Sequence, residues 1–522
     1  MDKLNKLLKN VFNKNSLKLA IDTENESMSY RQLNILVSNI SHSIIEESKI
    51  KKFTKILIFG YRSIDVYAAL LASVITGVTF IPLNPYFPND KIINIIKNSE
   101  SEHIILLDEC YEKFTQIYND VNYLKIFHSR NIDSSIFTQK IIINNIDSLF
   151  LNDLNLDTLS YDNPCYIIFT SGTTGDPKGV IINRDSIYNY VIRNINLFKI
   201  TSNDIFSQMS DISFDLSMLD IFCSFSSGAC LCVIPKKYVI NPIKYLITKN
   251  VTIFVSVPSI IGILNQIRVL RDGILPNIRL SLFCGEAFTR ENAYIWSKSV
   301  PNSEIYNLYG PTEATVSFTE FQFKINENIE LNGVLPIGKP YPGLFVKLFH
   351  KDPSIDFENA IEGEIFLGGD QISAGYLNDY KKTNDKFFKE NNIIWYKTGD
   401  LGRYITINNE KYLFFIGRMD DQIKINGYRV ELQEVDNILK EITGMPSISV
   451  AIKNKKNNLQ RIYGIIETKQ NLNKNNIINK CKEKLNPYAV PYDIFTMEKF
   501  IVNNNGKTDR KAITKYISTS FL

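Results

Sequence analysis

The segment from Thr170 to Val180, with the sequence TSGTTGDPKGV, has the residue types of a phosphate-binding loop. Its hydroxyls and backbone N–H groups can surround phosphate oxygens, and Lys178 supplies a positive charge. An apolar run from Cys165 to Phe169 precedes it with the pattern of a buried strand, and helical spacing follows from Ser186 to Ile200. This order of strand, loop and helix is typical of a turn that grips phosphate. Because Gly179 follows the lysine, the loop is not a Walker A sequence, which counts against an ordinary P-loop NTPase.

The segment from Asn307 to Glu313, NLYGPTE, brings together an aromatic ring, a tight turn and a hydroxyl beside a carboxylate. The ring of Tyr309 suits stacking on a purine base. Thr312 and Glu313 suit a phosphate oxygen and a hard cation such as Mg²⁺, which prefers oxygen ligands. The alternative is a helix that begins after the turn and is capped by Thr312.

Two shorter segments carry single charged groups that fit a nucleotide reaction. Asp400 follows a glycine in Thr398–Gly399–Asp400, and such a carboxylate can accept hydrogen bonds from both ribose hydroxyls. Taken alone, this tripeptide is more often an ordinary turn between two strands. Lys507, in the sequence NGKTDR, suits the delivery of positive charge to an anionic transition state, or is simply part of a solvated polar turn.

Asp215 stands among apolar residues in Phe214–Asp215–Leu216–Ser217. A carboxylate in that setting is costly unless it is paired, so it could hold the ammonium group of a substrate. The alternative is structural, with Asp215 or Ser213 acting as the N-cap of a helix.

The elements that must position these residues follow two patterns. From about Ser29 to Ile337, short β-branched runs alternate with helical patterns, which predicts a parallel sheet covered by helices. From Gly343 to Ile416, closely spaced strands and turns predict a smaller antiparallel sheet or barrel. A break at Gly417 to Asp421 precedes about 100 residues, enough for a small separate domain. A length of 522 residues fits three or four domains or subdomains in all.

Composition excludes several classes of protein. The chain is 44% hydrophobic and 12% aromatic, as expected of a globular protein, and its net charge of +4 gives no reason to expect nucleic acid or a membrane as partner. Seven scattered cysteines without a CxxC pair fit reduced thiols and count against a zinc site. The N-terminus lacks a signal peptide, and the apolar window from Ala68 to Leu83 reads as a buried helix that enters a strand. We therefore expect a cytoplasmic protein.

Together, these motifs resemble the adenylate-forming superfamily, specifically the amino-acid adenylation domains of nonribosomal peptide synthesis. They follow the order of the motifs in that family and cover nearly the whole chain. The resemblance implies an α/β fold, with a core over residues 1–419 made of two α/β subdomains and a β-barrel. A small mobile α+β C-terminal domain would cover residues 420–522, with its hinge at Asp420. The implied reaction has two steps. A carboxylate attacks the α-phosphate of Mg-ATP to give an acyl-adenylate and pyrophosphate, and a thiol then takes the acyl group.

The resemblance also implies a role for each motif. Three groups of residues would hold ATP: Thr170, Ser171, Gly172, Thr173, Thr174, Gly175 and Lys178 at the β- and γ-phosphates; Tyr309 on adenine, with Asn307, Gly285 and Glu286 near its edge; and Asp400 on the ribose, beside Phe415 and Arg418. Glu313 would bind Mg²⁺ and Thr312 would contact the α-phosphate. Lys507 would neutralise charge between the substrate carboxylate and the adenylate. A swing of the C-terminal domain would then bring Lys424 to the site for thioester formation.

The same resemblance addresses the substrate. Asp215 marks an α-amino acid, because the family pairs this carboxylate with the ammonium group. The other pocket positions are apolar or small: Phe214, Leu216, Leu219, Val255, Leu282, Cys284, Leu308, Val316 and Ser317. This lining predicts a small aliphatic amino acid. Its leucines resemble those of stand-alone L-proline ligases, and Cys284 resembles that of D-alanine–carrier protein ligases. Because Leu308 is larger than the residue usual in the D-alanine enzymes, L-proline is the first expectation and D-alanine the alternative.

The sequence leaves alternatives for the acyl acceptor and for the reaction. Because the chain begins with the adenylation portion and ends soon after Lys507, we expect a separate carrier protein that bears phosphopantetheine, with free coenzyme A as the alternative. Other functions are an acyl-CoA synthetase, against which Asp215 argues, an inactive sensor of the same fold and a kinase-like phosphotransferase. The sequence departs from the family at Ala374, where arginine is usual, and at Ile501 to Asn503, which lacks the usual proline.

Overall fold

A computed structural model describes residues 2–129, 135–143, 149–154, 156, 159–171, 177–350, 361–420, 422–425, 427–453, 460–501 and 508–520. The chain divides into two compact units. The first contains Met1–Pro85, Ile95–Phe169 and Gly179–Met419, and the second contains Tyr86–Asn94, Thr170–Lys178 and Asp420–Leu522.

Among the described residues, the largest sheet has nine strands. Their order across the sheet is Lys339–Pro340, Thr319–Phe323, Glu304–Tyr309, Leu280–Cys284, Ile253–Ser256, Ile205–Gln208, Cys230–Val233, Leu19–Asp22 and Ser27–Ser29. The strands from Glu304–Tyr309 to Leu19–Asp22 are parallel, whereas the edge strands pair antiparallel. The parallel part places the carboxyl ends of its strands at one edge, where ligand sites form in sheets of this kind.

A second sheet has seven strands within the described part of the chain. Their order is Lys140–Ile142, Lys125–His128, His103–Leu106, Lys55–Phe59, Thr79–Leu83, Tyr166–Thr170 and Lys178–Ile182. Thr79–Leu83 is buried at every position, as expected of a strand covered on both faces. The helix Ile64–Thr76 before it is also almost wholly buried and ends at Gly77, whose φ is +74°. The predicted buried helix that enters a strand is confirmed.

The loop after Tyr166–Thr170 does not have the predicted surroundings. The next element is a strand, Lys178–Ile182, and the helix Arg184–Leu197 begins only after it. The order is therefore strand, loop, strand and helix. The helix predicted over Ser186–Ile200 is confirmed as Arg184–Leu197, whereas the strand Lys178–Ile182 before it was not predicted. The run of valine and isoleucines after Gly179 favours an extended chain, so no helix N-terminus follows the loop directly.

The described residues also form α-helices and short 3-10 helices. The α-helices are Lys3–Lys14, Tyr30–Ile50, Ile64–Thr76, Asn89–Ser99, Tyr111–Thr115, Arg184–Leu197, Leu216–Ser227, Ile243–Thr248, Ser259–Gln266, Arg290–Ser299, Tyr380–Lys386, Leu432–Thr443, Lys474–Lys484 and Arg510–Ser520. Short 3-10 helices are Asp108–Cys110, Tyr118–Asp120, Leu151–Asp153, Lys236–Tyr238 and Thr312–Ala314. None of the helices in the described ranges is both long and apolar enough to cross a membrane.

The region from Gly343 to Ile416 forms an antiparallel sheet, as predicted. Its strands are Phe345–Phe349, Glu362–Gly368, Phe387–Glu390, Ile393–Ile407 and Glu410–Arg418. Every pairing among them is antiparallel, and Ile393–Ile407 is the central strand. This sheet matters for the site because Asp400 and Arg418 lie on adjacent strands of it.

The second unit has its own small sheets and hydrophobic clusters. A hairpin joins Gln422–Ile425 to Tyr428–Glu431, and a separate sheet joins Ser447–Lys453, Gln460–Glu467 and Asp493–Met497. The helix Leu432–Thr443 and the strand Ser447–Lys453 contain the helix and strand expected at Val435–Ile442 and Ile448–Ile452. Val435 and Leu439 of that helix pack with Ile494 in one of the clusters.

Candidate active site

The carboxyl end of the strand Glu304–Tyr309 brings Tyr309 to Asp400. The phenol of Tyr309 donates a hydrogen bond to Asp400 Oδ2 at 2.6 Å. Both side chains are buried, with 7% and 5% of their surface exposed. Burial, and then the charge of Asp400, raise the pKa of Tyr309 well above its usual range, so the phenol remains a hydrogen-bond donor. Two residues predicted to contact one nucleotide thus lie together, 91 positions apart in sequence.

Asp400 lies within a strand and not in a turn. Thr398–Gly399–Asp400 falls inside the continuous strand Ile393–Ile407, so the turn predicted there is wrong. Gly399 has a φ of +75°, and its N–H donates to Glu364 Oε1 at 2.8 Å. Arg418 stands directly opposite Asp400 on the neighbouring strand and bonds to its Oδ1. A register shift after Leu401 makes that pairing locally irregular.

The turn after Tyr309 packs tightly against the chain that follows it. A Cβ on Gly310 would lie 2.6 Å from Ser317 Cα and 2.9 Å from Val316 O, so only glycine fits there without movement. The next element is the short 3-10 helix Thr312–Ala314, and Thr312 makes no side-chain cap for an α-helix. Thr315 and Val316 then have φ angles of +59° and +69°. A β-branched residue rarely adopts such a conformation, and strained backbone of this kind concentrates at functional sites.

Contacts with the segment Gln371–Tyr376 hold this strained turn in place. The hydroxyl of Thr315 donates to Gln371 O at 2.6 Å, and Gln371 Nε2 donates to Ser317 O at 3.1 Å. Glu313 is fully buried, and its Oε1 accepts a hydrogen bond from the phenol of Tyr376 at 2.7 Å. The sequence motifs did not single out Tyr376 for this contact, because nothing local connects it to a carboxylate 63 positions earlier.

Asn307, two residues before Tyr309, contributes a buried amide. Its Nδ2 donates to Pro336 O at 2.7 Å, whereas its Oδ1 is buried and makes no hydrogen bond with the described residues. A buried acceptor of that kind fits the donor groups of a nucleobase. Gly285 turns the chain after Leu280–Cys284 with a φ of +97°, and the carboxylate of Glu286 accepts from Ser259 N at 3.0 Å.

The predicted amino-acid pocket residues come together on neighbouring elements. Val255, Leu282, Cys284 and Leu308 share one face of the nine-stranded sheet, because Val255 pairs with Leu282 and Cys284 pairs with Leu308. All four are buried. Leu216 and Leu219 are buried on the helix Leu216–Ser227, Val316 is buried in the strained turn, and Phe214 packs against the same hydrophobic cluster.

Asp215 begins the helix Leu216–Ser227. It occupies the N-cap position and is 6% exposed, but its side chain makes no capping hydrogen bond, and Ser213 bonds to Asp211 instead. The structural alternative is therefore confirmed for the position of Asp215 at the N-cap, but not for a side-chain hydrogen bond that caps the helix. The helix holds a second carboxyl, Asp220, which is fully buried, and neither of its oxygens bonds to a described residue. Sequence reasoning missed Asp220.

Two tyrosines that the sequence motifs did not single out contact the pocket residue Ser317. Its hydroxyl lies 2.8 Å from the phenol oxygen of Tyr341 and 3.1 Å from that of Tyr190. Ser317 and both tyrosines are fully buried. Ser317 is 24 positions from Tyr341 and 127 positions from Tyr190, so no local pattern signals these contacts.

Other predicted residues belong to the second unit. Ser171 Oγ donates to Arg429 O at 2.8 Å, and Thr170 Oγ1 is buried without a hydrogen bond among the described residues. Lys178 begins its strand, and Lys424 lies on the hairpin strand Gln422–Ile425. Asp420 Oδ1 accepts from Gln422 N at 3.2 Å. Gly172, Thr173, Thr174, Gly175 and Lys507 lie outside the described residues.

Phe415 completes the neighbourhood of Asp400 on the strand Glu410–Arg418, where it is partly buried against the main hydrophobic cluster. The arrangement therefore offers a tyrosine ring, a paired carboxylate and a buried amide at one end of the nine-stranded sheet. These are groups that fit a nucleotide, and Asp215 adds a buried acid beside the apolar residues of the predicted pocket.

Comparison with known proteins gives the family. Residues 8–377 match the AMP-binding enzymes, and the chain belongs to this family of adenylate-forming enzymes. It is 28% identical over 501 residues to a D-alanine–D-alanyl carrier protein ligase of Listeria monocytogenes serotype 4b, which covers 94% of each chain. It is also 28% identical over 513 residues to the ligase of that name from Staphylococcus aureus strain Newman, which covers 97% of each chain.

A solved structure resembles the chain over nearly its full length. It is the Vibrio cholerae adenylation domain AlmE in complex with glycyl-adenosine-5'-phosphate, with a TM-score of 0.87 and 26% identity over 99% of this chain and 98% of that chain. The predicted fold class is confirmed. The expectation of L-proline is not supported, since these relatives favour D-alanine. Leu308 is buried, and a larger side chain at this position leaves less room, which disfavours the bulkier proline ring.

Proposed function

We propose that this chain activates D-alanine as its adenylate with ATP and transfers it to the phosphopantetheine thiol of a separate carrier protein. The observation that carries the proposal is the match to D-alanine–D-alanyl carrier protein ligases over 94% to 97% of both chains. Local chemistry supports it. Four buried side chains share one sheet face and fit a small apolar substrate group, and Asp215 supplies a carboxyl group for an ammonium group.

The nucleotide side of the proposal rests on the residues around Tyr309. Asn307 Oδ1 suits the adenine amino group, and Asp400, oriented by Tyr309 and Arg418, suits the ribose hydroxyls. In the proposed reaction the D-alanine carboxylate attacks the α-phosphate of ATP and pyrophosphate leaves. Glu313 is a hard oxygen donor that fits Mg²⁺, which would supply charge neutralisation to phosphate oxygens, and the hydroxyl of Thr312 fits the α-phosphate.

We also infer from the resemblance that residues 420–522 form a mobile domain that acts in both half-reactions about a hinge at Asp420. Lys507 would act in adenylation and Lys424 in thioester formation. Lys507→Ala is expected to abolish adenylate formation yet leave transfer from pre-made adenylate largely intact. Equal loss of both half-reactions would refute the role.

The substrate is tested by exchange of labelled pyrophosphate into ATP over a panel of D-alanine, L-alanine, glycine and L-proline. D-Alanine is expected to give the highest kcat/KM, and a pocket of this kind separates it from near-isosteric acids by about 1–3 kcal/mol per methylene. Exchange with none of the amino acids would contradict amino-acid activation altogether. Preference for L-proline would contradict D-alanine as the substrate but would still support amino-acid activation.

Glycine is the second candidate, because the AlmE structure that resembles this chain holds glycyl-adenosine-5'-phosphate. D-Alanine has one methyl group more than glycine. The room that the side chains of the pocket face leave for this methyl group should therefore decide which amino acid is preferred. If the chain prefers glycine, Leu308→Ala is expected to admit D-alanine. If it prefers D-alanine, the same variant is expected to admit larger acids.

Asp215→Asn provides a test of the ammonium contact. The variant keeps the shape of the side chain but removes its charge, so KM for D-alanine should rise by about tenfold or more while KM for ATP stays within about twofold. Steady-state kinetics with each substrate varied in turn would measure this. A parallel rise in both KM values would show that Asp215 does not contact the amino acid.

A further inference from the structure

We propose that Arg62 is a positioning residue for Asp215: it holds the loop 209–214, which leads from the nine-stranded sheet to Asp215, and so sets where this carboxyl group can meet an ammonium group. The proposal rests on the proposed function of Asp215 in amino-acid binding. Arg62 lies far from this loop in sequence, between the strand Lys55–Phe59 of the seven-stranded sheet and the helix Ile64–Thr76. All of these residues belong to the first unit.

The loop 209–214 contains no helix or strand that would fix its path. It begins where the strand Ile205–Gln208 ends, and Asp215 follows it at the N-cap of the helix Leu216–Ser227. Backbone carbonyl groups that leave a sheet need other hydrogen-bond donors when they are buried. The course of the chain toward Asp215 therefore depends on the side chains that bind this loop.

Arg62 supplies donors to the start of the loop. Its Nη1 donates to Met209 O at 2.7 Å and lies 3.3 Å from Gln208 O. The side chain of Gln208 extends the contact, because its Nε2 donates to Ser210 O. The carbonyl groups of three consecutive residues thus bind side chains at the point where the strand ends. A guanidinium suits this role because it presents several donors in one fixed plane.

Gln208 is itself held in one orientation. Its Oε1 accepts a hydrogen bond from the phenol of Tyr67 at 2.8 Å and lies 3.4 Å from Arg62 Nη1. Gln208 and Tyr67 are fully buried, and Arg62 is partly buried. A buried network whose members satisfy one another fixes side-chain positions more strongly than an exposed contact does.

Contacts within the loop extend this constraint to Asp215. Asp211 Oδ1 accepts from the N–H of Ser213 at 2.9 Å and from its hydroxyl at 2.6 Å, and Asp211 O accepts from Phe214 N at 2.9 Å. Hydrogen bonds of this kind from an aspartate stabilise a turn locally. Phe214 O then accepts from Ser217 N at 3.0 Å, on the other side of Asp215. A shift at the start of the loop should therefore move the carboxyl group with it.

The loss of Arg62 should affect the amino-acid substrate more than the nucleotide. A charge-assisted hydrogen bond depends on close approach of its two groups, and misplacement by about 1 Å can cost about 100-fold. Tyr309 and Asp400, which we expect to contact ATP, lie on other strands. Binding of ATP should therefore change little when Arg62 is replaced.

The test compares Arg62→Gln with Arg279→Gln. Arg279 is a matched control because it binds the chain at the opposite end of the same strand: it pairs with Asp204 at 2.7 Å and donates to Lys199 O at 3.1 Å, both before Ile205–Gln208. Pyrophosphate exchange with D-alanine and ATP varied in turn gives the KM for each. Arg62→Gln should raise KM for D-alanine by about 10- to 100-fold and leave KM for ATP within about twofold. Arg279→Gln should lower the thermal midpoint but leave both KM values within about twofold.

Two further variants separate positioning from general destabilisation. Arg62→Lys keeps the positive charge but lacks the planar guanidinium, so its KM for D-alanine should lie between those of Arg62→Gln and the wild type. In an Asp215→Asn background, Arg62→Gln should raise KM for D-alanine by less than about a further twofold, because both changes act through one carboxyl group. A larger further rise, a parallel rise in KM for ATP, or an equal rise in Arg279→Gln would overturn the proposal.

Hydrogen exchange at the amides of Ser213 and Phe214 gives a readout that needs no activity. Both amides should exchange about tenfold faster in Arg62→Gln, and to a lesser degree in Tyr67→Phe, than in the wild type or Arg279→Gln. Unchanged exchange would refute the role of Arg62 even if the wild type activates no amino acid. Inactivity of the wild type together with the expected exchange would instead contradict the proposed function alone.

Discussion

Asp400 accepts hydrogen bonds from Tyr309 on one strand and from Arg418 on another, so its carboxylate is held in one orientation before any ligand binds. Glu313 is held in a similar way by Tyr376. A buried group fixed by such partners keeps the geometry that binding or catalysis requires. At the residue scale, therefore, the side chains named by the sequence motifs depend on tyrosines and an arginine from distant parts of the chain.

Tyr376→Phe tests this dependence. It removes one hydrogen bond to a buried carboxylate, worth about 1.5–3 kcal/mol, so the thermal midpoint should fall and the adenylation rate should drop by about tenfold or more. Pyrophosphate exchange and thermal unfolding measure the two effects. Tyr30→Phe is the control, because its fully buried phenol donates to Ala229 O at 2.7 Å, away from these carboxylates. The control should lose stability but not rate; similar rate losses would contradict the role of Tyr376.

The buried carboxyl group of Asp220 should make the free energy of unfolding depend on pH. Burial raises its pKa well above the usual range, and only the charge of Arg62 opposes this. Between the ordinary pKa of about 4 and the raised folded value, the folded protein keeps a proton that the unfolded chain has released. The free energy of unfolding should therefore fall as pH rises through this range.

Asp220→Asn removes this titration. Between about pH 4 and pH 8, the wild type should lose at least about 1 kcal/mol of unfolding free energy relative to the variant. Denaturant unfolding at several pH values measures the difference. Parallel pH profiles for the two proteins would show that the carboxyl does not titrate differently in the folded state.

At the scale of elements, the active-site geometry depends on irregularities within regular structure. Gly399 gives the strand Ile393–Ile407 a positive φ just before Asp400. Thr315 and Val316 form a left-handed pair after the 3-10 helix Thr312–Ala314. Such conformations persist because surrounding contacts, here those of Gln371, determine them more strongly than local preference does.

Gly310→Ala tests the tight approach at this turn. The added Cβ would meet backbone atoms of Val316 and Ser317, which cannot rotate away, so stability should fall by about 1–3 kcal/mol and adenylation by about 100-fold. Denaturant unfolding and pyrophosphate exchange measure these effects. Gly333→Ala is the control, since nothing lies within 4 Å of its added Cβ and its φ of +79° alone should cost about 1 kcal/mol. Equal activity in the two variants would contradict the need for glycine at position 310.

At the scale of the whole molecule, the interior contains every cysteine of the chain. All seven cysteines are buried thiols, and none of them forms a disulfide. Burial raises the pKa of Cys110, Cys165 and Cys230 to about 12 and that of Cys481 to about 11. Thiols of this kind are poorly reactive, because the thiolate is the nucleophile.

The native protein should therefore react very slowly with an aromatic disulfide reagent at about pH 8, whereas all seven thiols should react after denaturation. The absorbance of the released chromophore gives the number of thiols that have reacted. Cys284 lies on the pocket face. If Cys284 does react in the native protein, D-alanine with ATP should therefore protect it. Rapid native reaction of several thiols would contradict a closed core.

The sequence alone determined the family, the fold class and most of the chemistry. Local patterns were sufficient for the buried helix before Thr79–Leu83, for the antiparallel sheet from Phe345, and for the motifs around Tyr309 and Asp215. These signals depend on short-range spacing of residue types, which a single chain displays directly. Sequence reasoning failed at the turn predicted for Asp400, where strand pairing overrode local preference, and it missed the strand Lys178–Ile182 between the phosphate-binding loop and the next helix.

Only the tertiary structure decided which of these residues meet. The bond from Tyr309 to Asp400 joins residues 91 positions apart, and the bond from Tyr376 to Glu313 joins residues 63 apart. No local pattern encodes such pairs, because they arise when separate strands align and bury the groups between them. Packing also buries the carboxyl group of Asp220, which bonds to no described residue, and brings Asp436, Arg510 and Ser449 into hydrogen-bond contact. The sequence thus determined the kinds of groups available for the reaction, and packing determined which of them hold one another in place.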